Sequence, residues 1–237
     1  MGFKFKQFTI EHDDCAMKVG TDSIMLGSWV QPKNAQRILD IGTGSGLLGI
    51  MLAQKAQDTC TIDGLDIDAA AISQAKSNAK NCLWAQRLTF YHTSLQQFVC
   101  GISYDLIVCN PPYFSINISA NKTGAAKSRL NARQTIELEH PTLLQAVKKH
   151  LSASGRFCCV LPVDVAKIFI VYAESTGMYC TRELQVQSKH DTHVTRLLLE
   201  FSHTKKTITS DVLCIYDHSG SYSKEYIALC KDYYFNF

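Results

Sequence analysis

Asn110-Pro111-Pro112-Tyr113 joins an amide, two prolines and an aromatic ring in four consecutive residues. It follows the strand-like run Tyr104 to Cys109 (YDLIVC). Each proline lacks an N–H and fixes φ, so the strand stops there and the backbone beyond it is stiff. An amide oxygen, a free backbone carbonyl and a flat ring are then held together at a sheet end. That set suits a planar compound bearing an –NH2 group. The Asn110 side-chain oxygen and the Pro111 carbonyl can each accept a hydrogen bond from the amine, which favours a pyramidal nitrogen with a directed lone pair. Tyr113 can stack on the ring, a contact worth about 1–3 kcal/mol. Taken alone, the same four residues are equally a Pro-Pro turn with a core Asn and a buried Tyr.

A second motif gives the first its meaning. Asp40-Ile41-Gly42-Thr43-Gly44-Ser45-Gly46 follows the run RILDI, and Gly44 to Gly49 matches G-x-G-x-x-G. Asp66 ends the next strand-like run (TIDGLD), about twenty residues on, where a carboxylate can accept both hydroxyls of a ribose. A nicotinamide dinucleotide meets these requirements, and so does S-adenosylmethionine. Asp40, just before the turn, is poor company for a pyrophosphate and good company for a cationic amino acid. NPPY has no evident role in hydride transfer. S-adenosylmethionine, with its sulfonium and ammonium and no phosphate, is the better match. The glycines also admit a purely structural reading, close strand–helix packing.

The elements that must position these residues read as an α/β chain. Strands are expected over 37–41, 61–66, 88–91, 104–109, 155–161, 180–187 and 195–201, with a further candidate at VLCIY. Helices are expected over 22–30 (capped by Thr21 or Asp22), 46–57, 68–80 (capped by Asp68), 134–151 and 163–176, with a short one in KEYIALCKDYY. Alternation of strands and helices implies parallel βαβ units, and the last two strands, with no helix between them, imply an antiparallel hairpin at one edge. The 237 residues and 46% apolar content suit one sizeable core, and a net charge of +3 argues neither for nor against nucleic acid. Ten cysteines, many inside apolar runs, read as small hydrophobes in a reducing cytoplasm. MGFKFKQFTI has no long apolar core, so no secretory leader is expected, and no run is long enough to span a bilayer. The eight histidines are scattered, so no metal is expected. Ser115 to Arg133 is a long polar stretch with Lys122, Lys127, Arg129 and Arg133 and no acid. It reads either as a contact to phosphates or as a solvated loop.

DIGTGSG, LDID and NPPY, in that order, resemble the class I S-adenosylmethionine-dependent methyltransferases of the N6-adenine type. CAMKVGTD (Cys15 to Asp22) followed by LGSW, and the ending IYDHSGSYSKEYIALCKDYYF, resemble the bacterial family that methylates N6 of the adenine 3′ to the anticodon in a valine tRNA. The resemblance implies a Rossmann-like methyltransferase with a seven-stranded, mostly parallel sheet, an antiparallel edge hairpin and helices on both faces. It implies a single domain over 1–237: a segment 1–30 closing on the cofactor, a core 31–202 and an extension 203–237. By position, Asp40, Gly42 and Gly44, with Thr43 and Gly46 of the same turn, would hold the methionine part of S-adenosylmethionine. Asp66 would hold the ribose, and Ile67, Ser94 and Leu95 would border the adenine. Lys18, Gly20 and Thr21 would close over the amino-acid end. Asn110, Pro111, Pro112 and Tyr113 would be catalytic, with Asn110 also touching the cofactor. Tyr113 and Phe114 would meet the target base, and Lys122, Lys127, Arg129 and Arg133 the tRNA. Lys189 and Arg196 are either further tRNA contacts or plain surface charge. The residues leave other targets open: an adenine of ribosomal RNA or DNA, a protein glutamine, or RNA binding without catalysis.

Overall fold

The computed structural model describes residues 2–15, 17–111 and 140–237. In chain order the first elements are β1 (Phe3–Lys4), β2 (Thr9–Ile10), α1 (Thr21–Trp29), β3 (Arg37–Ile41), α2 (Leu47–Lys55), β4 (Thr61–Asp66), α3 (Ala69–Lys80), β5 (Leu88–His92) and β6 (Tyr104–Cys109). After these come α4 (His140–His150), β7 (Leu151–Pro162), α5 (Val163–Ser175), β8 (Tyr179–Lys189), β9 (Val194–Ser202), β10 (Thr209–Tyr216) and α6 (Lys224–Cys230). β1 and β2 form a small antiparallel ribbon, and the rest form one sheet in the order β10-β8-β9-β7-β6-β3-β4-β5.

Among the described strands only β9 runs against its neighbours in that sheet. Among the described residues the sheet has eight strands rather than the seven expected. β10 pairs in parallel with β8, so the expected hairpin β8–β9 is antiparallel but lies inside the sheet, and β10 forms the edge. The inner strands are apolar on both faces because both are covered. Ile38, Leu106, Val108, Cys158 and Val160 pack in one apolar cluster with α1, α2, α3 and the C-terminal tail. Their sequence neighbours Leu39, Ile107, Cys109, Phe157, Cys159 and Leu161 pack in a second cluster with α4 and α5. Alternate residues of one strand thus serve opposite cores. All ten cysteines are free thiols, and eight are buried.

The boundaries have physical causes. α1 starts at Thr21 with Gly20 as its cap, which has no side chain to bond, so the expected caps Thr21 and Asp22 lie within its first turn instead; Asp68 caps α3 as expected, accepting from the Ala70 N–H at 2.8 Å. β7 begins at Leu151, earlier than its apolar run, with an irregular register against β6 between Tyr104 and Leu106. Of the helix expected over 134–151, residues before 140 lie outside the described part. The chain leaves β3 towards β4 and β5, then returns to add β6 on β3's other side. This reversal opens a crevice at the carboxyl ends of β3 and β6. Gly42 and Asn110 immediately follow those two ends.

Candidate active site

The crevice holds a cavity walled by the turn Gly42 to Ser45, by Asp66 at the end of β4 and Ile67 after it, by Thr93 and Leu95 after β5, and by Asn110 and Pro111 after β6. Lys18 and Ser23 close it from the N-terminal side. Gly42 and Gly44 have φ of +67° and +54°, where an L side chain is strained, and a Cβ on either would meet no atom within 4 Å. The turn therefore presents bare backbone to open space.

The turn is held from below. Asp40, at the end of β3, is fully buried. Its Oδ2 accepts from the Thr43 hydroxyl at 2.6 Å and the Gly49 N–H at 3.1 Å. Its Oδ1 is buried with no partner among the described residues. Burial pushes the Asp40 carboxyl up to about 6, although both hydrogen bonds pull the other way. Asp66 spans the gap between strands: Oδ2 accepts from Gly44 N–H at 2.8 Å and Oδ1 from Asp68 N–H at 3.0 Å. Burial raises its carboxyl above the ordinary value, and these N–H donors oppose that. With the Ile67 N–H also bonded to this carboxylate, three of its about four acceptor sites are filled and one is left for a ligand.

Asn110 carries the other half of the site. Its Nδ2 donates to the Ser23 hydroxyl at 2.8 Å, while its Oδ1 is buried with no partner among the described residues. A second hollow adjoins the first, lined by Met17, Lys18, Gly20, Thr21, Asp22, Ser23 and Asn110.

Several expected wall residues lie elsewhere. Asp40 sits beneath the turn, because the Thr43 and Gly49 donors draw it inward. Gly46 caps α2 outside the cavity lining, at φ +82°, and a Cβ there would come within 3.2 Å of Ala75 and Phe90. Ser94 turns away and accepts from the Gln97 N–H at 3.3 Å. Gly20 and Thr21 line the second hollow rather than the first. Lys18 does line the cavity, with its ammonium donating to the His12 and Asp13 carbonyls at 2.8 and 3.2 Å. Arg196 pairs with Asp22 at 2.9 Å, fastening β9 to the start of α1. Pro112, Tyr113, Phe114, Lys122, Lys127, Arg129 and Arg133 lie outside the described residues.

Sequence reasoning missed Ser23 and Asn78. Asn78 is buried on α3; its Nδ2 donates to the Ser45 and Glu11 carbonyls, both at 2.8 Å, and its Oδ1 accepts from the Glu11 N–H at 3.0 Å. One carboxamide so ties the glycine turn to the N-terminal segment. A polar residue on the apolar stripe Ala71, Ile72, Ala75, Ala79 was the available signal.

Among the described residues no group of His, Cys, Asp and Glu could hold a metal, and no helix is long and apolar enough to cross a membrane. Residues 15–162 match the family described as "Methyltransferase small domain". A predicted O-methyltransferase of Agrobacterium tumefaciens superposes with a TM-score of 0.67, covering 90% of this chain and 96% of its own at 14% identity, a likeness of fold. A ribosomal protein L11 methylase of Lactobacillus delbrueckii superposes at 0.52 over 77% of each chain, at 18% identity. The tRNA1(Val) (adenine(37)-N6)-methyltransferase of Pseudoalteromonas atlantica is 49% identical over 100% of this chain and 98% of its own. That of Pectobacterium carotovorum is 43% identical over 98% and 93%. With its glycine turn and Asn110 on one sheet rim and such relatives along its whole length, the chain belongs to the tRNA1(Val) (adenine(37)-N6)-methyltransferase family.

Proposed function

We propose that the protein transfers a methyl group from S-adenosylmethionine to N6 of adenine 37 in tRNA1(Val), the reaction named for its relatives. The observation that carries this reading is the meeting of two features at one crevice. One is a bare glycine turn with a ribose-competent carboxylate, and the other is Asn110, whose buried Oδ1 has no partner among the described residues.

The residues fit S-adenosylmethionine. The backbone of Gly42 and Gly44 leaves room where side chains would intrude, Asp66 accepts a ribose hydroxyl, and Ile67 and Leu95 flank the adenine. Asp66 and the buried Asp40 give the region a negative bias suited to a cation, while Lys18 helps close the N-terminal side. Bound there, S-adenosylmethionine supplies an electrophilic methyl carbon on a positively charged sulfur.

The chain's own part is positioning. Asn110 Oδ1 and the Pro111 carbonyl accept from the target amine and aim its lone pair, and Tyr113 stacks on the base. Alignment of reacting atoms near 3 Å contributes most of the rate. No side-chain base is needed at the start, because the cationic product amine sheds its proton readily. A base in an RNA loop is reached at little unstacking cost. Lys122, Lys127, Arg129 and Arg133 are assigned to its phosphates. We read 1–237 as one methyltransferase domain acting in the cytoplasm, where ten unpaired thiols persist.

The test is incubation with methyl-labelled cofactor and unmodified tRNA1(Val), beside ribosomal RNA and DNA. Label is expected in N6-methyladenosine at position 37 of the tRNA. Label confined to another polymer, or none in adenine, would overturn the reading.

A further inference from the structure

We infer that Ser23 is a positioning residue for methyl transfer: its hydroxyl sets the orientation of the Asn110 carboxamide, so that Oδ1 rather than Nδ2 is offered to the target amine. This rests on the proposed function.

A carboxamide is nearly two-fold in shape and its terminal torsion is broad, yet its two ends are opposite in hydrogen bonding. Turned one way, Asn110 accepts from the amine. Turned the other, it sets N–H against N–H and holds nothing. Being on a stiff Pro-bounded strand end does not choose between the two states, because that fixes the backbone and not the last torsion. The choice falls to whatever touches the side chain. The Ser23 Oγ takes an Nδ2 hydrogen at 2.8 Å, and Oδ1 is buried with no partner among the described residues. A hydroxyl can also donate, so a reversed amide would still keep one bond to Ser23, from the hydroxyl to Oδ1. That state would move the NH2 group and both its hydrogens into the buried position Oδ1 now holds, and a buried N–H without an acceptor is rarer than an under-satisfied carbonyl.

Ser23 is itself well placed to do this. It lies in the first turn of α1 and lines both the main cavity and the adjoining hollow. The residue before it, Asp22, accepts from Arg196 Nε at 2.9 Å, so that turn is fastened to β9 on the same rim. α1 packs through six consecutive buried residues, Ile24 to Trp29, directly beyond Ser23. The hydroxyl is thus presented from a fixed scaffold rather than from a free strand of chain.

The test uses the full chain. Ser23→Ala should lower kcat about tenfold, equivalent to about 1.4 kcal/mol. KM for tRNA and the Kd for S-adenosylhomocysteine should stay within about threefold. Ser23→Thr, which keeps the hydroxyl, should recover most of kcat. In the free protein, the Asn110 Nδ2 hydrogens of 15N-labelled material, identified by their loss in Asn110→Ala, should exchange with water several times faster in Ser23→Ala. An unchanged kcat, a loss carried wholly by KM or Kd, or an unchanged exchange rate would overturn the inference. A wild-type protein that methylates no adenine would instead overturn the functional reading, and the exchange measurement would still decide the Ser23 contact.

Discussion

At Gly44 the backbone turns through φ +54° and lends its N–H to Asp66 while facing open space. Alanine there meets a left-handed strain of about 1–2 kcal/mol and puts a methyl group into the cradle. Gly44→Ala should therefore weaken S-adenosylhomocysteine binding at least tenfold, read by calorimetry, with a smaller loss of thermal stability. A variant that binds normally would remove the turn from the cofactor site. Asp40 makes a different prediction. Its carboxyl titrates near 6 in the folded chain, above the ordinary value of 3.8. A raised acid favours the folded state when protonated, so its contribution is full below about 4 and is lost as pH rises through about 6. The stability of wild type relative to Asp40→Asn should fall between pH 4 and 6, measured by urea midpoints, and a flat difference would contradict this. The sequence put Asp40 beside the turn but could not give its depth, which is set by Thr43 and Gly49 once α2 docks. Ser23 was not legible at all, because its partner is 87 residues away and only the packing of α1 joins them. Asn110 was legible, since two prolines mark its strand end locally.

Among elements, α3 acts as a strut. Asn78→Ala would leave the Ser45 and Glu11 carbonyls and the Glu11 N–H without their side-chain partner, a cost of about 1–3 kcal/mol for buried groups. Denaturant unfolding should show that loss, and hydrogen exchange should quicken around residues 11 and 45 together. Exchange that quickens at only one of these would show the strut to be no link. The strands and helices of the core were readable because they are apolar on both faces or periodic at the helical repeat. The position of β10 was not readable. VLCIY announces a strand, but nothing local states that it will pair in parallel with β8 and close the hairpin inside the sheet. The two-residue strands β1 and β2 are too short to leave any pattern.

Across the whole molecule, the last residues are part of the main core rather than an appendage. Tyr226, Cys230 and Tyr233 are buried in the same cluster as α1 and α2, and the Tyr233 hydroxyl donates to the Met51 carbonyl at 2.8 Å. Tyr233→Ala should cost about 3–5 kcal/mol, the range for emptying a buried aromatic site. A loss below about 1 kcal/mol would mean the tail is dispensable. The beginning is fastened to the same place: the Lys6 N–H donates to the Tyr233 carbonyl at 2.8 Å and its ammonium to the Phe237 carbonyl at 2.9 Å. The cysteines give this architecture a practical use. Cys158 and Cys159 stand back to back on opposite faces of β7, and burial drives both thiols above their usual range. An alkylating reagent reaches either one only after that strand has left its neighbours. Mass spectrometry of a timed iodoacetamide pulse would then act as a native stopwatch for global opening, with no dye or engineered label attached.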